Sequence, residues 1–283
     1  TASGKSAMAL ELARRTGGVI VNADSMQVYA VLDRLTARPD GADLTLARHV
    51  LYGHVQPATA YSTGAWLRDV TRLIDDGVLG DRIPIFVGGT GLYFRALLGG
   101  VGEMPEIPLE VRDRWRARLA EEGAARLHEV LRSEDPQAAM ALRPTDGQRI
   151  ARALEVLESS GQSILHWQAV RGPPLVDPQT ATMSILEVPR AELVARIGRR
   201  LDAMVASGAV EEVRSLMALD LDPGLPAMKA IGVREFSAVI RGEAVMAQAL
   251  SLAKVATAQY AKRQVTWFRH QMGDRWTRIL STI

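Results

Sequence analysis

Two rhythms of apolar residues alternate along the first hundred positions. Val19-Ile20-Val21-Asn22 and Ile83-Pro84-Ile85-Phe86-Val87 are short, nearly unbroken apolar runs, the pattern of buried strands. Pro84 then falls near the start of its strand, where its missing N–H does least harm. Ala7 to Arg15 is rich in helix formers instead. Ser62-Thr63 caps a helix from Gly64 to near Asp76, with Trp66, Val70, Leu73 and Ile74 as its apolar stripe. Another helix, Leu92 to Leu98, follows the glycines after Val87. Residues 33 to 60 keep neither rhythm. Helix, strand, helix, strand, loop, helix predicts an α/β fold with a parallel, doubly wound sheet.

The rhythm changes at Gly99. Residues 99 to 108 read as a linker by their glycines and prolines. From 109 to near 169 the pattern is helical only. One helix carries Val111, Trp115 and Leu119, and a second Leu127, Val130 and Leu131. Pro136 starts a third. Thr145 caps a fourth, Asp146 to Ser159, striped by Ile150, Leu154 and Leu157. A second linker runs from Arg171 to Thr180. The strand Thr182 to Val188 resumes the α/β pattern, and Pro189 opens a helix through Met204. Helices over 209–219 and 228–240 follow, then the longest, Gly242 to His270, and a last strand, Trp276 to Leu280. The predicted organisation is a core beginning at 1–104, an all-helical insertion at 105–178, and completion of the core at 179–283.

Composition narrows the chemistry. The 283 residues contain no cysteine, which excludes disulfides and Cys-based zinc sites and fits a reducing compartment. No apolar run approaches the length of a membrane span. Net charge is only +2, yet Lys254 to Arg278 holds six basic residues against Asp274 alone. A basic end on a nearly neutral chain predicts a localised polyanion contact. Lys262, Thr266 and Arg269 share one face of that helix, and Arg263, Trp267 and His270 its neighbour. Trp267 reads either as a stacking platform or as a core residue beneath a solvated basic stripe.

Thr1-Ala2-Ser3-Gly4-Lys5-Ser6 supplies the second half of a phosphate-binding P-loop, Gly-x-x-x-x-Gly-Lys-[Ser/Thr]. The first glycine of that pattern would lie two residues before Thr1, and the central strand of such folds would precede it. Glycine permits close backbone approach, and the helix N-terminus directs N–H groups at anionic oxygens. Lys5 adds a point charge and Ser6 a hydroxyl suited to Mg²⁺. Asp24 follows a predicted strand, where open sheets place their sites. It reads as a Mg²⁺-holding acid, a general base or a helix cap. Gly88-Gly89-Thr90 reads as a tight turn or as a close approach to a ligand. No second acid ends the 83–87 strand, as a P-loop kinase of a small metabolite, the main alternative, would want.

Taken together, several motifs resemble one family over nearly the whole chain: Thr1 to Ser6, Asn22-Ala23-Asp24-Ser25-Met26-Gln27-Val28-Tyr29, Val87-Gly88-Gly89-Thr90-Gly91-Leu92-Tyr93, Asp146-x-x-Arg149-x-x-Arg152-Ala153-Leu154-Glu155-Val156, Met228-Lys229-Ala230-Ile231-Gly232 and Tyr260-Ala261-Lys262-Arg263-Gln264-x-Thr266-Trp267. They look like the tRNA dimethylallyltransferases of bacterial type, since a chain without cysteine lacks the zinc finger of eukaryotic members. The resemblance implies a P-loop parallel-sheet core with an inserted helical domain. It implies transfer of a dimethylallyl group from dimethylallyl diphosphate to N6 of the adenosine 3′ of the anticodon, in the cytoplasm, by a monomer. The P-loop would cradle the diphosphate with Mg²⁺ on Ser6. Asp24 would be the general base, and Arg200, in Arg196-Ile-x-x-Arg200, would stabilise the leaving group beside Lys5. Thr1 and Thr90 would line the channel. Ser25, Met26 and Gln27 would meet the target base. Gln148, Arg149, Ile150, Ala151 and Arg152 would engage the anticodon stem-loop, with Lys229, Arg234, Lys262, Arg263, Thr266, Trp267 and Arg269 on its backbone. Leu35 stands where the family carries glycine, which predicts an altered loop there.

Overall fold

The computed structural model describes residues 2–102 and 104–281; Thr1 lies outside them. The chain divides into two compact units, one from its first 94 residues with 178–283, the other Arg95–Asp177.

The first unit opens with α1 (Lys5–Thr16) and β1 (Val19–Asn22), a strand buried at every position. The irregular stretch contains two elements that its apolar pattern does not announce: α2 (Gly41–Leu46), held by a capping box of Asp40 and Asp43, and β2 (Arg48–Val50). Next come α3 (Thr63–Asp75), capped by Ser62, β3 (Pro84–Val87), and α4 (Gly91–Leu97), which ends across the unit boundary. The three strands form a parallel sheet in the order β2-β1-β3.

The helical unit contains α5 (Leu109–Glu134), α6 (Pro136–Ala141), α7 (Gly147–Ser160) and α8 (Ile164–Ala169). Gly123, at φ 81° and ψ 165°, breaks α5 in two, as the separate Trp115 and Leu127 stripes predict. Asp146, rather than Thr145, caps α7 by accepting the Arg149 N–H. Trp115, Leu127, Leu131, Ile150, Leu154 and Ile164 are buried in one core, so this unit has its own apolar interior. Glu158 accepts the Trp115 indole N–H at 2.7 Å.

The first unit is completed by β4 (Ser184–Glu187), α9 (Arg190–Ala206), α10 (Ala209–Met217), a 3₁₀ turn at Ala227–Lys229, α11 (Val233–Ile240), α12 (Met246–Gln271) and β5 (Thr277–Leu280). β4 and β5 pair in parallel as a second sheet. The helix expected over 228–240 is interrupted at Gly232, and the longest begins at Met246 instead of Gly242. Ile197, Leu201, Val213, Leu216, Val233, Phe236 and Ala253 make the core under these helices, and Leu32 and Leu35 enter it from the loop after β1. All described strand pairs are parallel, and the fold is the expected α/β class with a helical insertion.

Candidate active site

Gly4, in the left-handed region at φ 84°, is the N-cap of α1 and turns the chain into the helix. The first turn of α1 holds no acidic residue, so its N–H groups and dipole stay available to an anion. Lys5 begins that helix. Burial lowers its pKa from the ordinary lysine value; the Asp24 carboxylate opposes this and the Arg200 charge adds to it. Burial likewise lowers the pKa of Arg200, with Asp24 opposing. Lys5, Asp24 and Arg200, remote in sequence, thus meet in one electrostatic cluster, with a carboxylate acting on two desolvated cations.

Asp24 stands just past the buried end of β1 and is held there by its neighbours. Asn22, fully buried, accepts the Asp24 N–H on Oδ1 at 2.9 Å. Its Nδ2 donates to the carbonyls of Asp24 and Leu51, both at 3.0 Å. The indole N–H of Trp66 donates to the Asn22 carbonyl at 2.8 Å, and Trp66 stacks on Tyr93 with centroids 4.4 Å apart. Asp24 Oδ1 accepts the Met26 N–H at 3.0 Å, which closes a turn. No helix follows, so the helix-cap reading of Asp24 is set aside. Three phenols also feel its charge. Tyr52, Tyr93 and Tyr260 all have raised pKa values, first from burial and then, among other causes, from Asp24; Tyr260 is pushed up to about 12. The sequence reading assigned no role to Asn22, Tyr52, Tyr93 or Tyr260. For the tyrosines the signal, proximity to Asp24 in the fold, has no counterpart in spacing, whereas Asn22 stands only two residues before Asp24.

Thr90 is brought to the same place. Its Oγ1 accepts the Ser25 N–H at 2.9 Å and donates to Ser25 Oγ at 3.2 Å. The glycines before it admit the protein's own chain. A Cβ on Gly88 would lie 1.9 Å from the Ala23 carbonyl oxygen. One on Gly89 would lie 2.3 Å from Gln264 Nε2 and 3.3 Å from Asp24 Oδ2. Gln264, buried on α12, donates to the Gly89 carbonyl at 2.8 Å.

Other expected site residues divide by exposure. Gln27 is buried, and its amide donates to the carbonyls of Thr36 at 3.0 Å and Ala37 at 2.7 Å. Its amide hydrogens are therefore engaged within the protein, and it braces the 33–38 loop rather than offering them to a base. Arg200 Nη2 donates to the Thr36 carbonyl at 3.3 Å. Leu35 is buried in the core, at an ordinary negative φ, with its Cδ1 only 2.6 Å from where a Gly232 Cβ would stand. Leucine there fills space and needs no glycine conformation. In the helical unit Ile150 and Ala151 are 0% and 3% exposed, which removes them as stem-loop contacts. They form the inward face of α7, while Gln148 and Arg149 are exposed. Arg152 pairs with buried Glu155 at 3.1 Å. Lys229, Arg234, Lys262, Arg263, Thr266 and Arg269 are exposed. Trp267 is half-buried, with its ring so close over Gly91 that a Cβ there would lie 2.0 Å from Cζ3. Lys262, Arg263, Thr266 and Trp267 also line an open groove of about 520 Å³ along α12.

Fold and site together define a class: an α/β protein in which one carboxylate acts on two cations, one of them at a helix N-terminus. The profile of the family described as IPP transferase matches residues 27–271. A tRNA dimethylallyltransferase of Mesorhizobium japonicum is 64% identical over 279 residues, covering 99% of this chain and 87% of that protein. One of a Chelativorans species is 59% identical over 276 residues, covering 98% and 94%. The solved full-length tRNA isopentenylpyrophosphate transferase of Bacillus halodurans aligns over 99% of this chain and 87% of its own, at TM-score 0.67 and 30% identity. A eukaryotic dimethylallyltransferase acting on tRNA shares the fold at TM-score 0.82 and 23% identity, over 99% of this chain and 71% of that one. The chain belongs to the IPP transferase family.

Proposed function

We propose that this chain transfers a dimethylallyl group from dimethylallyl diphosphate to the exocyclic N6 of the adenosine 3′-adjacent to the anticodon of tRNA. The observation that carries the chemistry is the Asp24 carboxylate acting electrostatically on both Lys5, at the N-terminus of α1, and Arg200. In the reaction the N6 lone pair attacks C1 of the allyl group. The C1–O bond breaks, and diphosphate leaves with the electron pair. The N6 proton passes to Asp24. Lys5, Arg200 and the N–H groups of α1 receive the charge that grows on the departing diphosphate. An exocyclic amine is a weak nucleophile, so positioning supplies much of the rate.

Mg²⁺ fits the residues present. Among the described residues no three His, Asp or Glu cluster as a ligand set. Ser6, exposed in the first turn of α1, offers one hydroxyl. An ion that keeps waters and takes its other ligands from substrate phosphates suits such a site. When bound, it would neutralise charge on the leaving diphosphate.

For the tRNA, the exposed basic side chains of α12 together with Lys229 and Arg234 are the proposed backbone contacts. On the helical unit we assign Gln148 and Arg149. The target adenosine must leave its stack to reach Asp24. Among the described residues no helix is long and apolar enough to cross a membrane. We assign the reaction to a monomer in the cytoplasm. Incubation with dimethylallyl diphosphate, Mg²⁺ and unmodified tRNA should yield prenylated adenosine by mass spectrometry. Product undiminished in Asp24→Ala would sink the general-base role. ATP turnover without tRNA would favour the small-metabolite kinase.

A further inference from the structure

Glu212, on α10, has no part in the chemistry above, yet it is withdrawn from water at 8% exposure. A buried carboxylate is costly unless its oxygens are satisfied. Those of Glu212 are satisfied largely by the backbone of the 33–38 loop. Oε1 accepts the Arg34 N–H at 2.6 Å and Oε2 the Leu35 N–H at 3.0 Å. The Arg34 guanidinium lies 3.6 Å from Oε1. Leu35 anchors the same loop from its side chain, in the core beside Gly232.

The next two residues of this loop present carbonyls to the site. That of Thr36 accepts from both Arg200 and Gln27, and that of Ala37 from Gln27. Ala37 itself stands at φ 50°, a backbone conformation that persists only where surrounding bonds impose it. A connected path therefore runs from the Glu212 carboxylate through two N–H groups and the loop backbone to the carbonyl that meets Arg200.

We infer that Glu212 is a positioning residue for the diphosphate cradle. It fixes the loop whose Thr36 carbonyl orients the Arg200 guanidinium. The inference rests on the proposed role of Arg200 at the leaving diphosphate. Gln in place of Glu212 keeps the shape but turns an amide NH₂ toward one of the two loop N–H groups. Two donors then face each other, and the loop must shift.

The test is calorimetric binding of inorganic diphosphate with Mg²⁺ to the full chain and to its Glu212→Gln, Arg200→Gln and doubly substituted forms, with thermal melts of each. Glu212→Gln should weaken binding by about tenfold. Arg200→Gln should weaken it at least as much, and the double variant should bind no worse than Arg200→Gln alone. Glu212→Asp, which keeps the charge but shortens the reach, should lose less and show the same coupling. This arm serves if the Gln form does not fold. Equal losses in both Arg200 backgrounds, or no loss with Arg200 intact, would overturn the positioning role while leaving the Arg200 assignment in place. Undiminished binding by Arg200→Gln would overturn that assignment and the inference with it.

Discussion

At the scale of single residues, the site gathers half-buried charges near one another. Lys5 shows the consequence. Its pKa is lowered by burial, against the opposing Asp24 carboxylate and with Arg200 adding to the lowering, and a bound diphosphate must raise it again. Affinity for Mg²⁺-diphosphate should therefore be greatest just below the lowered value, where the free ammonium is charged and the diphosphate is still ionised. It should fall as pH rises through the lowered value, below the ordinary lysine value of 10.5. Lys5→Arg, which stays protonated, should abolish that fall, and calorimetry across pH checks it. The two glycines after β3 give a contrast of a different kind. A Cβ at Gly88 meets the backbone carbonyl of Ala23, while one at Gly89 meets the end of the Gln264 side chain. Backbone cannot yield as a side chain does. Gly88→Ala should cost on the order of 1–3 kcal/mol of stability in denaturant titrations. Gly89→Ala should fold more normally yet lose activity, because Gln264 and Asp24 must both move.

At the scale of elements, α12 carries a buried face and an exposed basic one. Ala261 and Gln264 are buried, while Lys262, Arg263 and Arg269 stand in solvent. Replacing Lys262, Arg263 or Arg269 by Ala should weaken tRNA binding and reduce the slope of log affinity against log salt by roughly one for each phosphate no longer neutralised. Filter binding across a salt series reads this. An unchanged slope would mean that the residue replaced does not meet a phosphate. The same helix shows what spacing reveals and what it hides. The basic excess was legible because it is local in sequence. The hydrogen bond from Gln264 to Gly89 was not, because 175 residues separate the partners. Strands β1 and β3 were legible as apolar runs. β2 was hidden because Arg48-His49-Val50 lies at the edge of its sheet and lacks an apolar run. Asp24 stood out by its place after a buried strand. The three tyrosines and Glu212 owe their roles to tertiary neighbours, while Asn22 holds Asp24 from two residues away. Ile150 and Ala151 were misplaced for another reason. A contiguous motif on a helix spans both its faces, and half of α7 faces its own core.

At the scale of the whole molecule, the chain comprises two units with separate apolar cores, so substitutions should sort by unit and by depth. Ile150, fully buried in the helical unit, should cost about 2–5 kcal/mol when cut to Ala, seen as a lowered unfolding midpoint. Arg149 is exposed, with only a surface pairing to Asp146 at 3.4 Å. Such pairs contribute about 0–1 kcal/mol. Arg149→Ala should therefore leave the midpoint nearly unchanged and weaken tRNA binding, while Mg²⁺-diphosphate binding stays at the parent level. The proposed cradle of Gly4, Lys5, Asp24 and Arg200 lies wholly in the other unit. If diphosphate affinity fell together with tRNA affinity in Arg149→Ala, the anion site would depend on the helical unit. The assignment of leaving-group binding to the α/β unit alone would then fail.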